Sequence, residues 1–360
     1  MKILEVKTTQ RQYPMIIGTD VVNNIEDFLK SVSITTNRKL LLITDQQIEK
    51  LYGDKVRKLL LNYNLFSYVV SQGENSKSLS QIEKIITYAI ENGLDRSSVI
   101  IALGGGMIGD LAGFAAAIYM RGIEFVQIPT TILAHDSSIG GKVAVNHSLG
   151  KNMIGAFHQP KLVIYDTSFL KTLPIKEVKS GLAELIKHGL IKDKEFVEWL
   201  VKYSVELTQL RVDYLNEALY RGSKIKADVV YEDEHELGIR AILNFGHTFG
   251  HVIESISNYQ YSHGEGVAIG MIYAARIANE MGLISYDLVE QYIALIQKFG
   301  LPTTIPTHYQ ATEMLAIMLR DKKFEQHQIR MVLPTEIGKV EIVKGISKEF
   351  LLKVMEDVKG

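Results

Sequence analysis

One stretch limits the possible folds more than any other: Ser98-Val-Ile-Ile-Ala-Leu103, then Gly104-Gly-Gly-Met-Ile-Gly-Asp110, then the apolar run Leu111 to Tyr119. An unbroken apolar run of this length suits a strand covered on both faces, as in a parallel sheet. The glycines at 104, 106 and 109 satisfy G-x-G-x-x-G between that strand and a following helix. Such glycines let backbone N–H groups approach a pyrophosphate at a helix N-terminus. A tight strand-to-helix turn needs glycine in any case, so the motif alone is weak. It also follows the third α/β strand rather than the first, which is not the usual dinucleotide order.

The surrounding chain repeats the pattern. Residues 1–7 and Tyr13 to Ile17 read as an opening strand pair. Lys39 to Asp45, Phe66 to Val70, Phe125 to Ile128 and Leu162 to Asp166 read as further strands, with helices over 20–30, 46–62 and 79–92. Strands alternating with helices predict an α/β N-terminal domain with a parallel nucleotide-binding sheet. Past Pro174 the pattern is helical almost throughout to about residue 323, then short strands return at 328–333 and 340–343, with a final helix from Ser347. The expected division is an α/β domain over 1–174 and a mainly α-helical C-terminal domain over 175–360.

With 46% hydrophobic and 22% charged residues over 360, the chain can build two cores. A net charge of −1 gives no electrostatic footprint for nucleic acid or an anionic membrane. No cysteine is present, so any metal must be held by His, Asp, Glu or water. The start lacks a signal-like apolar run and no stretch approaches a membrane span, so a cytoplasmic protein is expected.

Three of the ten histidines fall in residues 240–266: His247, His251 and His263. Phe245, Phe249, Val252, Ile253 and Ile256 surround the first two at helical spacing, and the two rings lean from one helix face. Three convergent imidazoles suit a metal site, although a histidine on an apolar face is more often a hydrogen-bonded core residue. Between the fourth and fifth α/β strands, residues 130–155 show little pattern and read as a long loop, the kind that is usually functional. Its Lys142, Lys151 and Asn152 suit phosphate oxygens. Asp45, at a strand end, could receive ribose hydroxyls or simply close a turn. In Gly181-Leu-Ala-Glu-Leu-Ile-Lys-His188, Glu184 and Lys187 share a helix face. They suit either a salt-bridged pair or a carboxylate for a metal.

Taken in order, GGGMIGD at 104–110, PTT at 129–131, DSSIGGKVAVN at 136–146, LGKNMIGAF at 149–157, GLAELIKHG at 181–189, RAILNFGHTFGH at 240–251, HGEGVAIGM at 263–271 and DKK at 321–323 resemble the 3-dehydroquinate synthase family of sugar phosphate cyclases. The likeness spans nearly the whole chain, though Ser180 stands where many members have asparagine. It implies zinc or cobalt held by Glu184, His247 and His263, with His251 on the substrate side as an acid/base group. It implies NAD held in the first domain near Asp45, Gly73, Glu74, Asn75, Ser76, Lys77, Gly105, Gly106, Met107, Ile108, Gly109, Asp110, Thr130, Thr131, Lys142, Lys151, Phe169, Leu170, Lys171 and Thr172. Substrate contacts are implied at Asp136, Lys142, Asn152, Lys187, Lys226, Arg240, Asn244, His251 and the Lys322/Lys323 pair. Catalytic roles carry over to Glu236, His251, Lys187, Lys142 and Asp136, and Arg121 matches an arginine that reaches a neighbouring subunit, so a homodimer is expected.

The implied reaction converts 3-deoxy-D-arabino-heptulosonate 7-phosphate to 3-dehydroquinate and phosphate. It proceeds by transient oxidation, phosphate elimination, reduction, ring opening and aldol closure. A metal-dependent polyol or alcohol dehydrogenase on the same architecture would need no phosphate cluster. A sister cyclase acting on another sugar phosphate would differ only in substrate, and a non-catalytic NAD-binding regulator would have no use for the set of acids, bases and ligands.

Overall fold

The computed structural model describes residues 1–9, 11–258, 260–319 and 329–357. The chain divides into two compact units. One comprises Met1–Leu173 with Leu215–His235, the other Pro174–Tyr214 with Glu236–Gly360. The segment 215–235, which the sequence pattern leaves with the helical half, therefore belongs with the α/β unit. Contacts within that unit hold it there: Glu234 accepts from the Thr9 amide at 2.7 Å and from Gln159 Nε2 at 2.8 Å, and Thr167 Oγ1 donates to Asn216 Oδ1 at 3.0 Å.

The first unit is built on a seven-stranded sheet. Its strands are β1 (Lys2–Lys7), β2 (Gln12–Gly18), β3 (Lys39–Asp45), β4 (Asn64–Val70), β5 (Val99–Gly104), β6 (Glu124–Pro129) and β9 (Leu162–Asp166). The order is β1-β2-β9-β6-β5-β3-β4; β1 and β2 are antiparallel and every other pairing is parallel. Alternation along each strand feeds two cores. Leu41, Ile43, Ile100 and Ala102 enter one, and Leu40, Leu42, Val99, Ile101 and Leu103 the other. Burial on both faces explains why these strands read as continuous apolar runs rather than alternating ones. The helix after β5 begins at Gly106, earlier than its apolar run suggests, and ends at Ile118.

The expected loop over 130–155 is a correction. A short helix, Ala134–Ser137, leads into an antiparallel hairpin of β7 (Lys142–His147) and β8 (Gly150–Phe157). Val143 and Val145 point inward onto the core, alternating with the half-buried Ala144 and Asn146. On β8 no residue is fully buried; Ile154 and Ala156 pack against the core only in part, so that strand lacks the buried apolar run of the central strands.

The second unit is mainly helical. Its principal helices are Ile175–Lys192, Lys194–Lys202, His247–Ile256, His263–Glu280, Tyr286–Lys298 and Lys348–Asp357, with an antiparallel pair β10 (Ile329–Glu336) and β11 (Lys339–Ile346). Among the described residues no helix is long and apolar enough to cross a membrane.

Candidate active site

The second unit gathers three polar side chains from three helices. Glu184 lies mid-way along Ile175–Lys192, where Val178, Leu182, Leu185 and Ile186 bury the helix. His247 opens His247–Ile256 directly after Gly246, which has a φ of 78°. His263 opens His263–Glu280, whose start is fixed by a capping box: Ser262 accepts from the Glu265 amide while Glu265 accepts from the Ser262 amide. Backbone contact holds the two histidine helices together. A Cβ on Gly270 would overlap the carbonyl oxygen of Gly246, and one on Gly266 would stand 2.8 Å from that of Gly250. Two small-xxx-small runs, Gly246/Gly250 and Gly266/Gly270, thus face each other and allow this approach. The Glu184 helix is docked in the same way, with Ser180 Oγ accepting from the Gly264 amide at 2.9 Å.

Packing of this kind leaves Glu184 Oε1 3.4 Å from His247 Nε2 and 3.3 Å from His263 Nε2. One ligand atom from each of the three lies within 4.8 Å of the others. Both imidazoles are oriented from behind, since His247 Nδ1 lies 3.1 Å from the Phe245 carbonyl and His263 Nδ1 lies 2.9 Å from Glu254 Oε1. A hydrogen on each Nδ1 leaves both Nε2 atoms turned toward the Glu184 carboxylate. Burial holds His247 well below its usual pKa, against the pull of Glu184, so it is neutral and ready to donate a lone pair. Burial works against the charged form of His263 too, but hydrogen bonds to Glu184 and Glu254 overcome it and raise the imidazole to about 10. In the metal-free protein a proton therefore occupies the place between His263 and Glu184. Two imidazole nitrogens and a carboxylate oxygen are a donor set that suits zinc or cobalt, and the cation would replace that proton.

Lys187 is buried beside this trio, its Nζ 2.5 Å from Glu184 Oε2. Arg240 is 1% exposed, and Asn244 Nδ2 donates to Glu236 Oε1 at 2.8 Å. His251 is exposed, its ring centroid 5.6 Å from that of His247. The i, i+4 spacing does set both rings on one side of the helix, yet the carboxylate meets His247 and His263.

In the first unit the turn after β5 is drawn tight. The Thr130 amide donates to the Gly104 carbonyl at 3.0 Å, and a Cβ on Gly105 would stand 2.9 Å from Thr131 Cγ2. Lys77 ties this turn to the hairpin: its Nζ lies 2.5 Å from Asp110 Oδ2 and 2.5 Å from Asn152 Oδ1. Burial lifts the Asp110 carboxyl above its usual range, against the Lys77 ammonium. Lys226 Nζ lies 2.9 Å from Asp136 Oδ2. Lys142 and Lys151 are exposed. Asp45 Oδ1 accepts from the amides of Gln47 and Ile48 at 2.8 and 3.1 Å, so that oxygen caps a helix start. The 3₁₀ turn Thr167–Thr172 is held by Tyr52, whose hydroxyl donates to the Phe169 carbonyl at 2.9 Å. Exposed Arg121 has a φ of 69°, after Met120 at 49°. Lys322 and Lys323 lie outside the described residues.

Comparison with known proteins shows the family. A model of the 3-dehydroquinate synthase N-terminal region matches residues 67–180, and one of its C-terminal region matches 181–324. The chain belongs to the 3-dehydroquinate synthase family. A 3-dehydroquinate synthase from Geobacillus kaustophilus is 47% identical over 345 residues, covering 94% of this chain and 93% of that protein. The crystal structure of a 2-deoxy-scyllo-inosose synthase complexed with carbaglucose-6-phosphate, NAD+ and Co2+ superposes with a TM-score of 0.88 at 28% identity, covering 99% and 100% of the two chains. A 2-epi-5-epi-valiolone synthase from Streptomyces hygroscopicus with NAD+ and Zn2+ bound has a TM-score of 0.87 at 23% identity, covering 99% of each chain, and shares the fold.

Sequence reasoning missed one group of this site. Glu254 is buried, three residues after His251 and seven after His247 on the same helix. A lone acid in the apolar run Val252-Ile-Glu-Ser-Ile256 was the signal available.

Proposed function

We propose that this chain catalyses the 3-dehydroquinate synthase reaction, with NAD and a zinc or cobalt ion as cofactors and a phosphorylated seven-carbon sugar as substrate. The convergence of Glu184, His247 and His263 carries this reading. Those three side chains would hold the cation, with room for substrate oxygens beside them as further donors. When bound, that cation supplies Lewis acidity, and NAD supplies a hydride acceptor that is restored within each cycle.

The remaining roles fall to side chains. The amides at the start of Gly106–Ile118, beneath Gly105, suit the pyrophosphate of NAD, and Lys77 holds the Asp110 end of that helix. In the first unit Lys142, Lys226 and Asn152 suit the substrate phosphate and its stabilisation as it leaves, and in the second unit Arg240 suits an anionic group of the substrate. Lys226 is held by Asp136, so it is oriented before substrate arrives. Lys187 balances the Glu184 carboxylate until a cation takes over that task. His251, exposed beside the ligands, and Glu236, bonded to Asn244, are the proton-transfer groups. A homodimer, with Arg121 reaching the partner's phosphate site, completes the proposal; light scattering tests it.

Purified protein given NAD, cobalt and 3-deoxy-D-arabino-heptulosonate 7-phosphate should release one phosphate per substrate with no net NADH. No phosphate release would sink the reading, and NADH accumulation on simple polyols would replace it with a dehydrogenase. Lys142→Ala should weaken phosphate-bearing ligands and leave metal content unchanged.

A further inference from the structure

The His247–Ile256 helix buries one carboxylate that no role above absorbs. Glu254 is 7% exposed, flanked by Val252 and Ile253, which pack inward. A buried carboxylate carries a large desolvation penalty unless a partner compensates it. An apolar residue would pack this helix without that penalty. The carboxylate faces His263, with Oε1 2.9 Å from Nδ1, while the opposite ring nitrogen, Nε2, lies 3.3 Å from Glu184 Oε1. Carboxylate, imidazole and carboxylate therefore stand in a line through one ring.

We propose that Glu254 is a positioning residue for the cation site: its carboxylate accepts the Nδ1 hydrogen of His263 and so fixes the tautomer and ring angle at which Nε2 meets the metal. This rests on reading Glu184, His247 and His263 as the ligands.

Two features of the molecule support the assignment. The first is the contrast with His247, whose Nδ1 is held by the Phe245 carbonyl two residues before it on the chain. His263 instead opens its helix directly after the capping residue Ser262, and its side chain is 31% exposed against 13% for His247. The more exposed ring has more freedom to turn, and a rigid acceptor on the neighbouring helix removes that freedom. The second is charge. An acceptor bearing a full negative charge makes the imidazole a stronger donor to a cation than a carbonyl does. Glu254 also lies with His251 and His263 in a set whose ligand atoms fall within 4.8 Å, so a direct ligand role is the alternative that an experiment must separate.

The test uses full-length protein stripped with a chelator and titrated with Co2+ against a competing chelator, with the visible spectrum followed at saturation. Wild type should bind one Co2+ per chain. Glu254→Ala should bind it about 10- to 100-fold more weakly. Glu254→Gln, whose amide oxygen can still accept from Nδ1, should fall between the two. At saturating Co2+ all three should give the same absorption bands, because the ligand set is unchanged. Thermal unfolding of the metal-free forms separates this from a loss of packing. Should the alanine variant fail to fold, Glu254→Leu keeps the side-chain volume and carries the same expectation. Wild-type affinity in the alanine or leucine variant overturns the proposal. So does an altered spectrum at saturation, which would make Glu254 a ligand. Wild type that binds no Co2+ instead removes the three-ligand reading beneath it.

Discussion

At the glycine turn of the first unit, the groups aimed outward are backbone amides, set in place by a contiguous strand, turn and helix from Val99 to Ile118. In the second unit the groups are ionisable side chains brought from three helices distant in sequence, and glycine pairs let two of those helices touch. The first arrangement is local and carries no titrating group in its amides. The second exists only once tertiary packing is complete, and it concentrates charge where water is scarce. Perturbations should therefore divide cleanly between the two.

The hardest blow to the packed site is Glu184→Ala. It removes a proposed ligand and breaks the buried ion pair with Lys187, so metal binding should vanish and urea denaturation should show a loss of about 3–5 kcal/mol, the range for breaking a buried pair. Next, Gly270→Ala forces the histidine helices apart; overpacking of this sort costs about 1–3 kcal/mol, and cobalt titration should show weaker binding even though no ligand has changed. A third test uses pH. Because metal-free His263 is raised to about 10, it holds a proton at neutral pH that the cation must displace. Metal affinity should therefore rise with pH until about 10, by roughly tenfold per unit, while NAD affinity measured calorimetrically should change little between about pH 6 and 9. Equal slopes for both ligands would break the comparison. Gly106→Ala should have the smallest effect on folding, below about 1 kcal/mol, since the one tight neighbour of its Cβ would be the Ser137 hydroxyl at 3.1 Å. It should weaken NAD binding all the same and leave metal content untouched.

The same division explains what could be read from the sequence. The strand-turn-helix at Val99–Ile118 lay open because its pattern and its geometry are both local. The doubly covered strands β3, β5, β6 and β9 were legible from their apolar runs. The β7–β8 hairpin was not, because one of its strands buries no residue fully. At the metal site, spacing could show that His247 and His251 share a helix face. It could not show that Glu184 arrives from another helix: the residue pattern left Glu184 open between a salt-bridged pair and a metal carboxylate, and the family resemblance chose the second. Glu254 escaped both, since its partner His263 lies across a break between helices.

The path of the chain between its two units bears on how the molecule is made. Translation delivers residues 1–173 first, then 174–214 of the other unit, then the 215–235 segment that completes the first. A nascent chain that stops near residue 214 owns Glu184 and Lys187 but neither histidine, and its sheet still lacks Asn216 and Glu234. Neither half can mature as an independent block in the order it leaves the ribosome. The proposed ligand set is complete only once His263 has emerged, so on that reading metal loading must follow its synthesis.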